Sequence, residues 1–342
     1  MINAKKTFNK LITPLSSVIP LNLLRKSLKS RVLIPLYHCV SDVPPKHISY
    51  LYKIRNIKEF IKDLDTFLKY FKPIDLSQLV DFQQNKIQSD KPFFHLTFDD
   101  GLAEFDSIIA PILLKKGIPA TCFVNSDFID NKNMFFRYKA SLLIDTLHQA
   151  PAGSELWKKF HDWKEEKKLP GGYYRKILLN IRYHEKNLLD DLARELKLDF
   201  TAYLNKNKPY LEKKQIESLI NKGFTFGAHS IDHPEYRFIE EKEQIDQTLK
   251  SLKHITDTFG MSYRVFSFPF TDHEVSKNFF NSIKEKVDFT FGCAGIKQDS
   301  VFSNLQRVPV EEYNNTLNTV LKKELLYYLA LKTIGKNKIV RI

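Results

Sequence analysis

Two adjacent aspartates, Asp99 and Asp100, close the apolar run FFHLTF and are followed by Gly101. Neighbouring carboxylates repel each other, and Asp is a poor strand former, so the pair calls for an explanation. One interpretation is a simple turn, because Asp-Gly commonly ends a strand. The other is a metal site at the carboxyl end of a buried strand, where one carboxylate binds the ion and the other transfers protons.

Histidines follow two other apolar runs. His229 and His233 lie four residues apart in AHSIDHP, and His38 lies near the end of VLIPLYHCV. Histidines at this spacing also occur on ordinary helix surfaces, but Pro234 and the preceding apolar run favour a tight loop. His38 alone could be a buried structural histidine. One carboxylate and two neutral imidazoles form the ligand set used by hydrolytic zinc and by non-haem iron(II).

These residues are far apart in the chain, so the fold has to bring them together. Short runs rich in β-branched and aromatic residues are predicted as strands at 32–40, 93–98, 120–125, 224–229, 265–270, 289–294 and 307–310. Amphipathic helical patterns separate them, and this alternation predicts an α/β fold with a parallel sheet or barrel. In an α/β barrel the carboxyl ends of the strands open onto one face. The strand ends would then deliver His38, the aspartate pair and the histidine pair to one mouth.

Composition restricts the class of partner. The chain has 342 residues, with 53 Lys and Arg against 40 Asp and Glu, for a net charge of +13. Such a balance suits nucleic acid, an anionic membrane surface or an acidic glycan. Basic and acidic residues alternate, as in KEEKK, and no zinc-finger spacing or RNA-binding signature occurs, so nucleic acid is not expected. Cys39, Cys122 and Cys293 lack CxxC spacing and lie in or beside apolar runs, which is typical of reduced core thiols.

The first 30 residues form a basic amphipathic segment. Lys5, Lys6 and Lys10 precede LITPLSSVIPLNLL, but prolines and polar residues interrupt this run and no small-residue cleavage site follows. No window reaches the roughly 18 apolar residues of a membrane-spanning helix. We therefore expect a cytoplasmic protein or one at the cytoplasmic membrane face, which this segment could contact. A helix docked on the protein body is the alternative.

The motifs TFDDG, GFTFGAHSIDHP and FSFPF resemble the first three motifs of polysaccharide deacetylases. This is the NodB-homology group, carbohydrate esterase family 4, and the resemblance spans roughly residues 31–129 and 213–312. It implies a distorted (β/α) barrel of about seven parallel strands, related to the TIM barrel. It also implies that the substrate is an N-acetylated sugar in a polymer or glycan precursor.

The same resemblance assigns roles to individual residues. Asp100, His229 and His233 match the metal ligands, and Asp99 matches the general base. The implied cofactor is one divalent metal ion, for which we expect zinc, with cobalt, nickel and iron as alternatives.

The chain departs from the family pattern at two places. Ser267 stands where the third motif usually has an Arg, and Arg307, in LQRVPV, could supply the missing cation. No Leu-His-Asp-like motif with the acid histidine occurs near the carboxyl end. Instead, LIPLYHCV resembles the start of the branch whose barrel strands are circularly permuted, and His38 matches its acid histidine. Asp272 follows the third motif, and we group it with Arg307 as a predicted substrate-binding residue.

The interval 130–212 breaks the alternation of strands and helices. It carries long helical patterns and no convincing strand, so we predict a helical insertion between two barrel segments, 31–129 and 213–312. The insertion could line a substrate groove or form a peripheral lobe. Residues 313–342 are predicted as a carboxyl-terminal helix with a basic tail.

The implied reaction is metal-assisted hydrolysis of an N-acetyl group. Asp99 would take a proton from the attacking water, and His38, as imidazolium, would protonate the departing amine, because an amide nitrogen does not leave as an anion. One alternative is a non-catalytic glycan-binding protein that keeps a metal site, against which the presence of both a base and a candidate acid argues. A membrane-surface factor in glycan assembly is another, and it is compatible with catalysis.

Overall fold

The computed structural model describes residues 18–28, 32–311 and 315–342, together with residues 5, 7, 8, 12 and 16. Much of the predicted basic segment therefore lies outside the described residues, and its contact with a membrane stays a prediction. Its described end packs on the protein body, because Leu21, Leu24 and Leu28 are buried in the main hydrophobic core.

The described part of the chain contains thirteen short strands. They are β1 (Val32–Leu33), β2 (Pro35–Tyr37), β3 (Lys72–Pro73), β4 (Phe93–Phe94), β5 (Leu96–Phe98), β6 (Ala120–Val124), β7 (Thr225–Ala228), β8 (Val265–Ser267), β9 (Phe289–Gly292), β10 (Gln298–Asp299), β11 (Asn304–Gln306), β12 (Val308–Pro309) and β13 (Lys338–Ile339). Every segment that the sequence predicts as a strand contains at least one of them.

Eight strands form one sheet, in the order β11-β9-β8-β7-β6-β5-β2-β12. All neighbouring pairs in this sheet are parallel. The central strand β6, with the sequence ATCFV, is buried along its whole length. Strands buried on both faces read as continuous apolar runs, which is why the sequence reveals them. The eighth strand, β11, was not predicted because its sequence, NLQ, carries no such run.

The two edge strands of this sheet are consecutive in the chain. β11 ends at Gln306 and β12 begins at Val308, so Arg307 alone separates the two edges. Consecutive Cα atoms lie about 3.8 Å apart, which limits the span between Gln306 and Val308 to about 7 Å. The sheet therefore curls until its edges nearly meet. The predicted α/β barrel is confirmed as a nearly closed one, with eight strands instead of about seven.

Two smaller parallel sheets accompany the barrel, with the orders β1-β4-β3 and β10-β13. His95 lies between β4 and β5 and is fully buried. Its Nδ1 lies 3.0 Å from the Ile74 carbonyl oxygen and its Nε2 lies 2.9 Å from Thr121 Oγ1. Burial lowers the pKa of His95 to about 4. This histidine is therefore neutral and has a structural role, as its position within an apolar run indicates.

Thirteen α-helices occur in the described part of the chain. They are α1 (Leu21–Leu24), α2 (Ile57–Tyr70), α3 (Leu76–Gln83), α4 (Ala110–Lys116), α5 (Phe136–Gln149), α6 (Glu155–Glu166), α7 (Tyr174–Asn180), α8 (Asn187–Glu195), α9 (Phe200–Asn207), α10 (Lys213–Asn221), α11 (Glu241–Phe259), α12 (Lys277–Ile283) and α13 (Leu317–Thr333). Within the described residues, none of these helices combines the length and the apolar character that crossing a membrane requires.

Local sequence signals set the ends of the helices that cover the barrel. Asn56 begins α2 through a capping box: its Oδ1 accepts from the Glu59 amide at 2.8 Å, and Glu59 Oε2 accepts from the Asn56 amide at 3.1 Å. The helix buries Phe60 and Phe67 against the core. α11 ends at Phe259, and the left-handed φ of 63° at Gly260 caps the helix there.

Helices α5 to α9, hereafter the helical lobe, lie within the interval 130–212. They share a hydrophobic cluster distinct from the barrel core, with Leu143, Leu178 and Leu192 fully buried. This interval is described completely and contains no strand. Its origin as an insertion into the barrel stays a prediction.

Candidate active site and metal centre

The aspartate pair lies on a tight turn directly after β5. Asp100 and Gly101 both have left-handed backbones, with φ of 71° and 63°. Aspartate tolerates this conformation better than most residues. A Cβ on Gly101 would lie 2.7 Å from Val124 Cγ1, so only glycine fits at the next position. The Asp-Gly pair forms a turn, which is compatible with both interpretations, and this turn gives the two neighbouring carboxylates different partners.

Asp100 lies beside two histidines from the loop that follows β7. One potential ligand atom from each of Asp100, His229 and His233 lies within 4.8 Å of the others. The two Nε2 atoms are 3.1 Å apart. Asp100 Oδ1 lies 3.1 Å from His233 Nε2 and 3.5 Å from His229 Nε2. The structure therefore brings together the three residues whose types suggested a metal site.

The protonation and orientation of these groups fit a divalent metal ion. His229 Nδ1 donates to the Ser267 carbonyl oxygen at 2.9 Å, so its Nε2 presents a lone pair to the cluster. Burial lowers the pKa of His229 to about 4, which keeps the imidazole neutral. Tyr138 Oη donates to Asp100 Oδ2 at 2.7 Å. Among the described residues, the buried Asp100 Oδ1 has no hydrogen-bond partner. A cation would satisfy this oxygen.

Asp99 faces Arg307. The Arg307 guanidinium donates to Asp99 Oδ1 and Oδ2, both at 2.7 Å, and the two side chains are buried. Asp99 Oδ2 also lies 3.8 Å from His229 Nε2, which places this carboxylate at the edge of the three-residue cluster. Burial raises the pKa of Asp99, but the Arg307 charge, followed by His229, outweighs burial and lowers it below its usual range. Asp99 is therefore ionised at neutral pH.

The side chains of Ser267 and Arg307 both contact the Asp99 carboxylate. Ser267, the last residue of β8, has its Oγ 3.2 Å from both Asp99 oxygens. Arg307 reaches the same point from the junction of the two sheet edges, and its Nη2 donates to Ser267 Oγ at 2.6 Å. The guanidinium therefore comes from the junction between β11 and β12, and the small Ser267 side chain leaves space for it.

His38 follows β2 and pairs with Glu311, which follows β12. Its Nδ1 lies 2.7 Å from Glu311 Oε2, and the His38 amide donates to the same oxygen at 2.9 Å. Burial lowers the pKa of His38, but the hydrogen bond and charge of Glu311, with smaller effects of Asp100 and Asp99, raise it to about 9. The side chain keeps 26% of its surface exposed, so an incoming molecule can reach it.

Asp272 has a different set of partners. Its Oδ2 accepts from Asn304 Nδ2 at 2.8 Å and from Gln306 Nε2 at 2.7 Å, and it forms an ion pair with Arg341. The residue is only 2% exposed. The contact of Asp272 with a substrate stays a prediction. A substrate would have to compete with Asn304, Gln306 and Arg341 for the Asp272 carboxylate.

Sequence reasoning missed four residues of the site. They are Glu311, Tyr138, Phe135 and Phe270. The signal for Glu311 was available, because it is the first carboxylate after a predicted strand. Phe135 and Phe270 flank the His233 ring at centroid distances of 4.1 and 4.8 Å. Tyr138 lies on α5 of the helical lobe, and nothing in its local sequence marks it.

A family model described as polysaccharide deacetylase matches residues 86–161 and 184–287, together more than half of the chain. The chain belongs to the polysaccharide deacetylase family. The matched segments contain the aspartate pair and both histidines of the cluster, whereas His38, Arg307 and Glu311 lie outside them. The family prediction is confirmed, and the circularly permuted strand order stays a prediction.

Solved structures with a similar fold include the deacetylase PplD of Streptococcus pyogenes, solved with acetate, at 13% identity and a TM-score of 0.54. IcaB of Ammonifex degensii is similar at 14% identity, also with a TM-score of 0.54. Each alignment covers 86% of this chain and 97% of the other. The polysaccharide deacetylase BC0361 of Bacillus cereus matches at 13% identity and a TM-score of 0.51, over 86% of this chain and 68% of the other. At these identities the likeness is one of fold. No curated protein sequence matches the chain significantly.

Proposed function

We propose that the protein is a metal-dependent hydrolase that removes N-acetyl groups from amino sugars of a polysaccharide or glycan precursor. The observation that carries this proposal is the arrangement of a carboxylate and an imidazole around one candidate metal cluster. Asp99 Oδ2 lies 3.8 Å from His229 Nε2, and His38 pairs with Glu311 and stays partly exposed. The pKa directions of the two groups agree with this arrangement, since that of Asp99 is lowered and that of His38 is raised. Amide hydrolysis needs one proton acceptor and one proton donor, which such a pair supplies. Family membership supports the glycan as the substrate class.

The metal ion would be held by Asp100, His229 and His233, for which zinc is the expected ion. A divalent ion held there would supply Lewis-acid chemistry, by which the pKa of a water molecule falls to about 7. The surrounding residues keep the ligands in position. The Ser267 carbonyl fixes the tautomer of His229, and the Tyr138 hydroxyl turns Asp100 Oδ1 toward the imidazoles.

Asp99 would accept the proton of the attacking water. Its two bonds to Arg307 hold the carboxylate in one orientation beside the cluster and keep it ionised. Arg307 has no exposed surface. We therefore propose that Arg307 acts by positioning Asp99. The sequence predicted Arg307 as a substrate-binding residue, and we propose instead that it does not touch the substrate.

His38 would donate the proton that lets the amine leave. Glu311 occupies its Nδ1, so Nε2 carries the proton that faces away from this carboxylate. With a pKa of about 9, most His38 side chains are charged at neutral pH. The exposed face of Phe270, 39% accessible beside His233, offers the sugar an apolar surface next to the reacting group.

Release of acetate from a soluble N-acetylated oligosaccharide tests this function. The purified protein should release acetate when loaded with zinc, lose the activity on chelation and regain it on reconstitution. The Asp99→Asn variant is the matched control, because it should keep the metal and lose turnover. A metal-loaded protein that binds the oligosaccharide but releases no acetate would instead be the non-catalytic glycan-binding protein.

A further inference from the structure

A cavity of about 530 Å³ opens on the helical lobe, lined by residues that take no part in the candidate metal centre. This lobe cavity has aromatic walls and a basic rim, formed by Trp157, Tyr173, Tyr174, His148, Lys158 and His161. None of the described residues that line it carries a carboxylate. Its size and its mixture of aromatic and polar groups are typical of small-ligand sites.

The aromatic rings meet edge to face and leave one ring open to solvent. Trp157 and Tyr174 are 5.0 Å apart between centroids at 88°, and Tyr173 and Tyr174 are 4.8 Å apart at 67°. The Trp157 indole donates to the Ala150 carbonyl oxygen at 3.3 Å, which fixes its ring. Tyr173 keeps 59% of its surface exposed. A preformed ring of this kind can stack on the apolar face of a sugar without further ordering.

Two tight turns present these rings. Gly153, with φ of 73°, reverses the chain before α6, and Gly172, with φ of 138°, directly precedes Tyr173. Lys158 and His161 lie on α6 beside the cavity. Within the described part of the chain, neither side chain has a hydrogen bond or an ion pair. Both are available to bind hydroxyl and acetamido oxygens.

Two groups of side chains, joined by the backbone between Tyr50 and Tyr52, lie between the lobe cavity and His38. Arg175 lies 3.4 Å from His148 Nδ1 and 4.8 Å above the Tyr50 ring. Tyr52, two residues further along the chain, packs against the His38 ring at 5.1 Å. One extended glycan could therefore follow these side chains and occupy both places at once.

We propose that the lobe cavity is an accessory subsite that binds one sugar ring of the glycan while another ring is deacetylated at the candidate metal centre. The proposal rests on the proposed function and extends it. The charge of Lys158, together with the lack of a carboxylate among the described lining residues, also gives the subsite a preference. It accepts a neutral N-acetylated sugar and repels a deacetylated one, whose ammonium group is positive. The protein would therefore select stretches of glycan that are still acetylated.

Calorimetric titration with the dimer and the hexamer of N-acetylglucosamine tests the subsite, in an Asp99→Asn background that stops turnover. Tyr173→Ala should weaken binding of the hexamer about five- to tenfold, the value of one aromatic contact, and leave the dimer unaffected. Tyr173→Phe should retain hexamer binding. Phe302→Ala is the matched control, since Phe302 is 70% exposed and belongs to neither site. The fully deacetylated hexamer should bind more weakly than the acetylated one, and Lys158→Ala should reduce this difference.

Kinetics on otherwise unmodified protein provide a second readout. Tyr173→Ala should raise KM for the hexamer and leave kcat unchanged. If acetate is released but hexamer affinity is the same in Tyr173→Ala and in the parent protein, the subsite is wrong and the proposed function stands. If binding depends on Tyr173 but no acetate is released, the subsite stands and the deacetylase proposal fails. Absence of hexamer binding contradicts the subsite.

Discussion

Arg307 and Asp99 form a buried two-point ion pair, with both N–O distances at 2.7 Å, although 208 positions separate them in the chain. The pair joins the end of β5 to the junction between the two sheet edges. Removing one partner of a buried ion pair costs about 3–5 kcal/mol, because the other charge is left uncompensated. The informative change is therefore one that keeps the charge and alters its geometry.

Arg307→Lys keeps a cation beside Asp99 but cannot bind both carboxylate oxygens in the same way. We expect the variant to retain its metal and to lose turnover about ten- to hundredfold, since a misplaced catalytic group costs about that much. Elemental analysis for metal and acetate release measure the two effects. Full turnover in Arg307→Lys would show that the orientation of Asp99 does not matter.

The two neighbouring aspartates should respond differently to the same substitution. Asp99→Asn should keep the metal and lower turnover by about two to four powers of ten, because the base is removed while the ligands remain. Asp100→Asn should lose metal affinity. Each variant is the control for the other, since both replace one carboxylate of the same turn by an amide. Equal loss of metal in both would mean that the pair acts as a single ligand unit.

Replacing either histidine of the cluster should release the metal. His229→Ala and His233→Ala should each abolish stoichiometric zinc binding and remove activity, because three ligands are the minimum of such a site. His254→Ala is the matched control, as His254 lies exposed on α11. Stoichiometric zinc in His233→Ala would make the ligand assignment wrong.

Glu311 should set the alkaline limit of activity. His38 must be protonated to act as an acid, so activity falls as the pH rises through its pKa of about 9. Glu311→Gln removes the charge that raises this pKa, so that burial brings it to the ordinary value of about 6.5 or lower. At pH 8 the protonated fraction would fall at least about thirtyfold, and amide hydrolysis with it. A bound divalent cation lowers the pKa in both proteins and preserves their order.

The measurement is the pH profile of kcat/KM in both proteins. An activated acetyl ester, which leaves without protonation, serves as the control substrate. An unchanged alkaline limb in Glu311→Gln would show that His38 is not the acid or that Glu311 does not tune it.

The buried strands were predictable because each is a continuous apolar run, and polar residues at their ends mark the mouth of the barrel. The family motifs then located Asp99, Asp100, His229 and His233. The pairing of Arg307 with Asp99 could only be suggested, because it depends on the two sheet edges meeting at one residue. β11 was missed because Asn304 and Gln306 form side-chain hydrogen bonds in place of apolar packing.

The residue that the helical lobe contributes to the site, Tyr138, could not be predicted from the sequence. Tyr138 is one of two aromatic residues on α5, with Phe136, and only the packing of that helix against the barrel brings its hydroxyl to Asp100. The partners of Asp272 show the same limit. Its carboxylate pairs with Arg341 at the far end of the chain, a contact that no local pattern indicates.

The most direct test of the account compares His38→Ala with the unmodified protein on two substrates, an N-acetylated oligosaccharide and an acetyl ester with a good leaving group. The unmodified, zinc-loaded protein should release acetate from both. His38→Ala should keep its zinc, lose about two to four powers of ten on the amide and lose much less on the ester, because only the amine needs a proton to leave. The proposed mechanism is contradicted if the unmodified protein releases no acetate from the amide. It is also contradicted if His38→Ala hydrolyses the amide at an unchanged rate.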